Sequence, residues 1–450
     1  ARPDVILPES SLLNLDGVQD AKLHPSLGGF QSLYDEGELA IVQNVGYPEQ
    51  NFSHFRSTDI WMTGADTNEL LATGWLGRYL NNQYPNYPAA YPNEDVPDPL
   101  AIELGYNLSV AFQGPVSGMG MVVGDPEWFY RLVNNIDAPV PDTQAGDKLR
   151  YVRLVTKQSQ VYGEVIKNAA SKITQQGGYP DTELGEQLKI VARLIAGGLQ
   201  TRLYMVSLHG FDTHDSQVLN SDHTKGEHAN LLATLGDAVR AFRSDLKGLQ
   251  IEDRVVGATV SEFGRRIISN ASLGTDHGAA APMFIFGKHV EGGILGKNPV
   301  IPETPDVEDN LGWEYDFRSV YASLLSGWFC TDSSTLQETI NKPHEILPII
   351  NPSVCGTTSS YENLYAAESW VRNYPNPVTD VTTIEFKGTG KPIRIDVINA
   401  QGQIVETIIR AKVGAGTHQI TWDASRLTSG MYYLNYHNGA IHQSNALMKH

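Results

Sequence analysis

Three apolar runs between Leu203 and Phe286 constrain the fold of this chain more than any other feature of its sequence. They cover residues 203–208, 254–260 and 282–286. The runs are continuous rather than alternating, a pattern typical of strands that are covered on both faces, as in parallel sheets. An amphipathic helix with its apolar stripe at Leu231, Leu235, Ala238, Phe242 and Leu246 separates the first two runs. The sequence therefore predicts an α/β fold with a βαβ unit and a mostly parallel sheet.

Each of these runs adjoins a short polar cluster. HGFDTH (209–214) and SEFGRR (261–266) follow the first two runs directly, and GTDHG (274–278) precedes the third. Ligands of parallel α/β sheets bind beyond the carboxyl ends of the strands. Since a βαβ unit brings its two loops to the same edge of the sheet, we expect any chemical site of this protein to lie here.

Composition excludes some classes of function. The net charge of −18 over 450 residues argues against nucleic-acid binding, because nothing would neutralise the phosphates, and it favours contact with cations. No run of eighteen apolar residues is present, so the sequence predicts no membrane-spanning helix. The two cysteines, Cys330 and Cys355, are compatible with one disulfide in an exported protein or with two free buried thiols.

The remaining elements divide the chain into two domains. Helical spacing predicts helices over residues 23–35, 75–80, 148–174, 184–196 and 317–328, and a strand over 39–42. After Cys355 the composition becomes polar, and from Asn373 short alternating strands follow one another. We predict a first domain over residues 1–357, a linker over 358–372 and a small β-sandwich over 373–450.

The C-terminal segment carries a series of short motifs. They are YPNP (374–377), INAQGQ (398–403), GTHQITWD (416–423), LTSGMYYL (427–434) and the basic end MKH. In this order they resemble the type IX secretion sorting domain (type A) of Bacteroidota; a generic adhesion-like sandwich is the alternative. The resemblance implies an immunoglobulin-like fold and export across the outer membrane to the cell surface or the extracellular space. It also implies that the type IX translocon and its outer-membrane shuttle or attachment machinery are partners.

The first domain contains a second series, RPD (2–4), LHPSL (23–27), GELAIVQNVGYP (37–48) and SHFRSTDIW (53–61), followed by GFDTH, SEFGRR, GTDHG and DFRSVYASLL (316–325). This series resembles the bacterial family called domain of unknown function 1501, of the alkaline phosphatase and sulfatase superfamily. The resemblance implies an alkaline-phosphatase-like sandwich around the sheet. Members normally begin with an apolar strand and a glycine-rich loop upstream of RPD, so we expect part of this domain to precede Ala1.

The resemblance also implies a chemistry. Superfamily enzymes hold divalent metals beside an activated hydroxyl or thiol that attacks a phosphate or sulfate ester. Asp212, His214 and His277 would bind one metal, most reasonably zinc, with Asp215 and Asp276 orienting the imidazoles. Glu262 stands at a second position, but the histidine expected after it is Phe263, so we expect at most one metal per chain. Ser53, His54 and Glu262 are the candidate catalytic residues.

Structural roles are the alternative for each of these residues. Asp212 could close an Asx turn, and His209 or His214 could donate to backbone carbonyls. Glu262 could pair with Arg265 or Arg266. His223 and His228 stand at the start of the predicted helix and are expected to be solvated. The chain is thus either an exported metal-dependent hydrolase of phosphate or sulfate esters or a catalytically silent cell-surface binding or structural protein.

Overall fold

The computed structural model describes residues 2–124, 161–173, 178–355, 371–388, 390, 392–399, 404–437 and 442–449. The chain divides into two compact units, Ala1–Ser359 and Ser360–His450. Cys330 and Cys355 form a disulfide near the end of the first unit, which decides between the two alternatives left by the sequence. In the described part of the chain, no helix combines the length and the apolar character that crossing a membrane would need.

The helices of the first unit are α1 (Gly28–Asp35), α2 (His54–Thr63), α3 (Trp75–Gln83), α4 (Glu183–Ala196), α5 (Glu227–Gly248), α6 (Phe317–Gly327) and α7 (Ser333–Ile340). Residues 161–171 are also helical. The helices predicted over 184–196 and 317–328 are confirmed. Helix α1 is shorter than predicted, because its residues before Gly28 form strand and turn. Most of the predicted segment 148–174 before residue 161 lies outside the described residues.

The strands of the first unit are short. They are β1 (Leu13–Asn14), β2 (Lys22–Leu23), β3 (Leu39–Gly46), β4 (Ala101–Leu104), β5 (Met121–Val123), β6 (Leu203–Met205), β7 (Gly257–Ala258), β8 (Gly264–Arg265), β9 (His277–Gly278), β10 (Ala281–Phe286), β11 (Gly293–Leu295) and β12 (Tyr315–Asp316). A sheet of order β11-β3-β10-β7 has β12 added beside β3, and a second sheet of order β5-β4-β6 is parallel throughout. In the larger sheet β10 runs antiparallel to both β3 and β7.

This topology corrects the predicted βαβ unit. Strands β6 and β7 belong to different sheets, and the run 254–260 contributes only the two residues Gly257 and Ala258 as strand, after a 3-10 turn at Glu252–Arg254. The larger sheet is mixed rather than parallel. The prediction failed because the run 254–260 is only partly buried, with Ala258 and Val260 exposed. In addition, an apolar run does not indicate which strand is the neighbour or in which direction that neighbour runs.

Burial on both faces holds for the runs 203–208 and 282–286, whose residues divide between two apolar clusters, but not for 254–260, where Ala258 and Val260 are exposed. Strand β3, which the sequence predicted only as a short strand, is buried along almost its whole length. Ala40, Val42 and Val45 pack into one apolar cluster, together with residues of α2, α3, α6 and α7. Leu39 and Ile41 point the other way, into a cluster with residues of α1, α4 and α5. Helices thus cover both faces of the sheet, and the loops at its edge remain open to solvent.

The second unit is all-β. Its strands are β13 (Val371–Tyr374), β14 (Val381–Gly388), β15 (Pro392–Asn399), β16 (Ile404–Lys412), β17 (Gly416–Asp423), β18 (Gly430–His437) and β19 (His442–Lys449). They form two antiparallel sheets, β13-β14-β17 and β16-β15-β18-β19, around a core that includes Ile395, Trp422 and Leu434. The alternation seen in the sequence gives this inward and outward pattern. The predicted linker lies almost wholly outside the described residues.

Candidate functional site

The predicted polar clusters meet at one edge of the larger sheet. After the carboxyl end of β3 the chain runs to His54 at the start of α2, and after β7 it reaches Glu262. Because β10 is antiparallel to β3, the residues that precede β10, including His277, lie at this same edge. Strands β8 and β9 pair Arg265 with His277 and so hold SEFGRR against GTDHG.

A glycine allows the third loop to lie directly on the first. A Cβ atom at Gly274 would come within 2.2 Å of the His214 carbonyl oxygen, so no larger residue fits without moving one loop. The Asn270 side-chain amide strengthens this contact by donating to the His214 carbonyl at 2.7 Å. The HGFDTH and GTDHG loops therefore form one rigid support for the site.

Asp212 is the centre of the site. The Nε2 atom of His54 lies 3.1 Å from Oδ2 of Asp212. The Nε2 atoms of His214 and His277 lie 3.0 Å and 2.9 Å from its Oδ1. The Arg265 guanidinium donates to the same Oδ1 at 3.0 Å. Three imidazoles and one guanidinium thus converge on a single carboxylate.

The Nδ1 atom of each imidazole lies within hydrogen-bond distance of an oxygen atom. His277 Nδ1 lies 2.7 Å from the Phe52 carbonyl oxygen, which can only accept, so this nitrogen carries the proton. His214 Nδ1 contacts Asp276 at 2.8 Å, and His54 Nδ1 contacts Glu262 at 2.8 Å. In a neutral imidazole the Nε2 atom therefore carries a lone pair that points toward Asp212, whereas in a protonated one the Nε2–H donates to this carboxylate.

One positive charge between two of the rings would complete this arrangement. The Nε2 atoms of His214 and His277 are 2.8 Å apart, a distance at which two lone pairs repel and one shared proton forms an N–H···N hydrogen bond; a metal ion would take the place of that proton. Ligand atoms of His54, Asp212 and His277 all lie within 4.8 Å of one another, close enough to surround one metal ion. Imidazole nitrogen with carboxylate oxygen is the donor set of zinc, and metal-bound histidines usually donate their other N–H to a carboxylate or carbonyl. The residues present fit a divalent metal.

Hydrogen bonds within the site shift the pKa values of Asp212, His54 and Asp276. Burial alone would raise the pKa of Asp212, but hydrogen bonds from His277, Arg265 and His54 outweigh burial and place this pKa far below its usual range. The pKa of His54 is raised, first by its hydrogen bond to Glu262 and then by its hydrogen bond to Asp212, although burial acts in the opposite direction. The pKa of Asp276 is lowered by His214 and Asn270. Both aspartates are thus anionic at neutral pH.

The structure brings together most of the predicted site residues. Asp212, His214, His277, His54, Glu262 and Asp276 belong to one contact network. Ser53 precedes α2 and is exposed; in the described part of the chain its hydroxyl makes no hydrogen bond to this network. Asp215 is exposed, and no described hydrogen bond joins it to an imidazole.

Several of the alternative roles are corrected. Glu262 pairs with His54, whereas Arg265 binds Asp212 and Arg266 binds Glu308 at 2.6 Å. His228 is not solvated, because its Nδ1 is buried without a hydrogen-bond partner among the described residues. Its ring contacts Phe211, which immediately precedes Asp212.

Three contributors were not identified from the sequence. Arg265, Asn270 and the Phe52 carbonyl each hold a site residue in place. Arg265 lies within the SEFGRR motif, which was the one available signal. Phe263, which replaces the expected second histidine, is buried, and its ring lies 4.2 Å from that of His277 and 4.9 Å from that of His54. It packs behind the imidazoles and offers no ligand atom.

Comparisons with known families match two parts of the chain. Residues 372–450 match the secretion system C-terminal sorting domain, and residues 144–310 match the protein of unknown function family DUF1501. The second match includes HGFDTH, SEFGRR and GTDHG. None of the curated proteins matches the chain. The sorting domain indicates export across the outer membrane to the cell surface or the extracellular space, through interaction with the type IX secretion machinery.

Proposed function

We propose that the chain is an exported hydrolase of phosphate or sulfate esters that uses one divalent metal, zinc, bound by Asp212, His214, His277 and His54. One observation carries this proposal. Three imidazoles, each with its Nδ1 engaged, direct their Nε2 atoms at the same carboxylate. The proposal includes the relationship of the first unit to the alkaline phosphatase and sulfatase superfamily.

When bound, the metal supplies a Lewis acid that lowers the pKa of a water molecule and neutralises the ester oxygens. Glu262 and Asp276 orient His54 and His214, and the Phe52 carbonyl orients His277. The side chains of His54, Asp212 and His214 are each between 41% and 46% exposed, so a substrate can reach the site from solvent. Three of the four proposed ligands would suffice to hold a catalytic zinc, and a position would then stay open for water or substrate.

An anionic substrate is supported by helix α2. His54 is its first residue, and no side chain caps its amino terminus. The backbone N–H groups of the first turn have no intrahelical acceptor and point out of the helix at the site. Helix amino termini favour phosphate and sulfate groups for this reason. The Arg265 guanidinium adds a positive charge beside Asp212.

The nucleophile of the proposed reaction is water rather than Ser53. The Ser53 hydroxyl has no base within hydrogen-bond distance among the described residues, and a hydroxyl needs an activating base or metal to attack. Ser53→Ala should therefore leave turnover nearly unchanged.

A catalytically silent binding protein is the second candidate, and one observation favours it. Arg265 already donates to Asp212 Oδ1 and to the Phe211 carbonyl, so this guanidinium could neutralise the carboxylate in place of a metal.

Elemental analysis and hydrolysis assays of the purified full chain test the proposal. We expect one zinc per chain and zinc-dependent hydrolysis of an aryl phosphate or an aryl sulfate. His277→Ala should lose the metal and reduce turnover by more than about 100-fold, because even second-shell changes cost ten- to a hundredfold. His223→Ala is the matched control, since His223 contacts only the Ile6 carbonyl in the described structure.

The outcomes separate the candidates. Zinc at the site without turnover of either ester would favour the binding protein. Protein that takes up no metal would refute the proposed site, and two metals per chain would refute the single-metal arrangement.

A further inference from the structure

Three exposed apolar residues lie near the residues of the proposed metal site. Phe55 follows His54 in the first turn of α2 and is 92% exposed. Val260 stands two residues before Glu262 and is 42% exposed. Val307 is 63% exposed, and its carbonyl accepts a hydrogen bond at 2.7 Å from Arg266, which in turn donates to the His277 carbonyl. Phe55 and Val260 thus lie close in the chain to site residues, and Val307 is linked to the His277 backbone through Arg266. We call these three residues the apolar rim.

The fold does not explain why these positions are apolar. In the described structure the Phe55 ring contacts no other aromatic ring, and its exposed fraction shows that it buries almost none of its surface. Single exposed apolar residues are ordinary on a protein surface, but three near one polar centre are not scattered. Sites for small organic ligands combine apolar walls with a few well-placed polar groups, and the rim with its imidazoles has this composition.

We infer that the rim binds an apolar, preferably aromatic, group of the ester whose phosphate or sulfate is held at the metal site. This inference rests on the proposed function and specifies its substrate class. The anionic group is positioned by the metal and the amino terminus of α2, and Phe55 projects from that same first turn. Phe55 is therefore a specificity-determining residue. A polyhydroxylated alcohol such as a sugar would leave the rim in contact with water and would be bound less tightly.

Calorimetric titration of the zinc-loaded full chain with phenylphosphonate and with methylphosphonate tests the inference without any turnover. Both probes carry the same anionic group on a carbon–phosphorus bond and differ only in the apolar part. We expect phenylphosphonate to bind about tenfold more tightly, as partial burial of one ring predicts. Phe55→Ala should reduce this preference to about twofold or less and leave methylphosphonate binding unchanged.

Tyr106→Ala provides the control, because Tyr106 is also 92% exposed and no described contact joins it to the site. It should keep the full preference for the phenyl probe. Equal affinity of the wild-type protein for the two phosphonates, or an undiminished preference in Phe55→Ala, would overturn the inference and leave the proposed function standing. If zinc is bound and neither phosphonate binds, the proposed function itself fails and the inference fails with it.

Discussion

At the residue scale, the orientation of the His214 and His277 rings is fixed by the contacts of their Nδ1 atoms. A carboxylate fixes one ring and a backbone carbonyl fixes the other, each through Nδ1. The tautomer of each neutral ring is therefore set before any ligand arrives, and the two Nε2 atoms are held 2.8 Å apart. Hydrogen bonds of this kind, from the Nδ1 atoms to a carboxylate or a carbonyl, orient histidines that bind a metal through Nε2.

His228 behaves differently, and its burial predicts a pH dependence of stability. Burial first, and then the charges of His24, Arg2 and Arg265, lower the pKa of His228 to about 4 in the folded protein. The unfolded chain takes up this proton near pH 6.5, and the folded chain takes it up only near pH 4. The free energy of unfolding should therefore fall as the pH falls through this interval, by about 2–3 kcal/mol between pH 7 and pH 4.5.

Urea denaturation at pH 7 and at pH 4.5 measures this loss. In His228→Leu most of the loss should disappear. A smaller part should remain, because burial also lowers the pKa of His24. Equal pH dependence in the variant and the wild-type protein would contradict the assignment.

At the scale of elements, helices α1 and α5 of the first unit pack closely against each other. A Cβ atom at Gly29 would come within 2.1 Å of the Gly236 carbonyl oxygen in α5. Backbone contact of this kind allows no side chain between the helices. The neighbouring Gly28 has no atom within 4 Å of its Cβ position, so its lack of a side chain is not required by packing.

These two glycines give a matched pair of substitutions. Gly29→Ala should destabilise the first unit by about 1–3 kcal/mol, because the helices must separate or shift. Gly28→Ala should be neutral or stabilise by up to about 1 kcal/mol, because alanine is the better helix former. Thermal unfolding followed by circular dichroism compares the two variants. Equal effects would show that the α1–α5 contact adjusts without cost.

For the whole molecule, the two units have separate tasks. The first carries the polar clusters and the disulfide, and the second is a sandwich that matches the sorting domain over residues 372–450. Disulfides form and persist in the oxidising compartments that an exported protein reaches. It closes a 25-residue separation in the chain, which would stabilise the first unit by about 3–4 kcal/mol by loop entropy.

Deletion of residues 373–450 tests this division. The shortened protein should no longer appear outside the cell, because the sorting domain carries the export address. The first unit should still fold, since its two apolar clusters contain only its own residues. Fractionation of cells followed by immunoblotting measures the location, and zinc content of the retained protein measures folding. Normal appearance of the shortened protein at the cell surface or in the medium would contradict the assignment.

Local patterns in the sequence indicated the α/β class of the first unit, most of its helices and the all-β C-terminal unit. They did so because burial and periodicity are properties of consecutive residues. The motifs also indicated Asp212, His214 and His277. The order and direction of the strands did not follow, since continuous apolar runs do not specify their partners.

Only the tertiary structure decided how the site is assembled. His54 meets Glu262 across 208 residues of chain, and Phe52 meets His277 across 225. Neither contact has a local signature, because each depends on which strands are neighbours. The partner of Arg265 also had no local signal: Arg265 pairs with Asp212, whereas Glu262 pairs with His54. The sequence by itself determined which residue types are present for this chemistry. The pairing of β3, β7 and β10 decides which of these residues face one another, because it brings the loops that adjoin the three strands to one edge of the sheet.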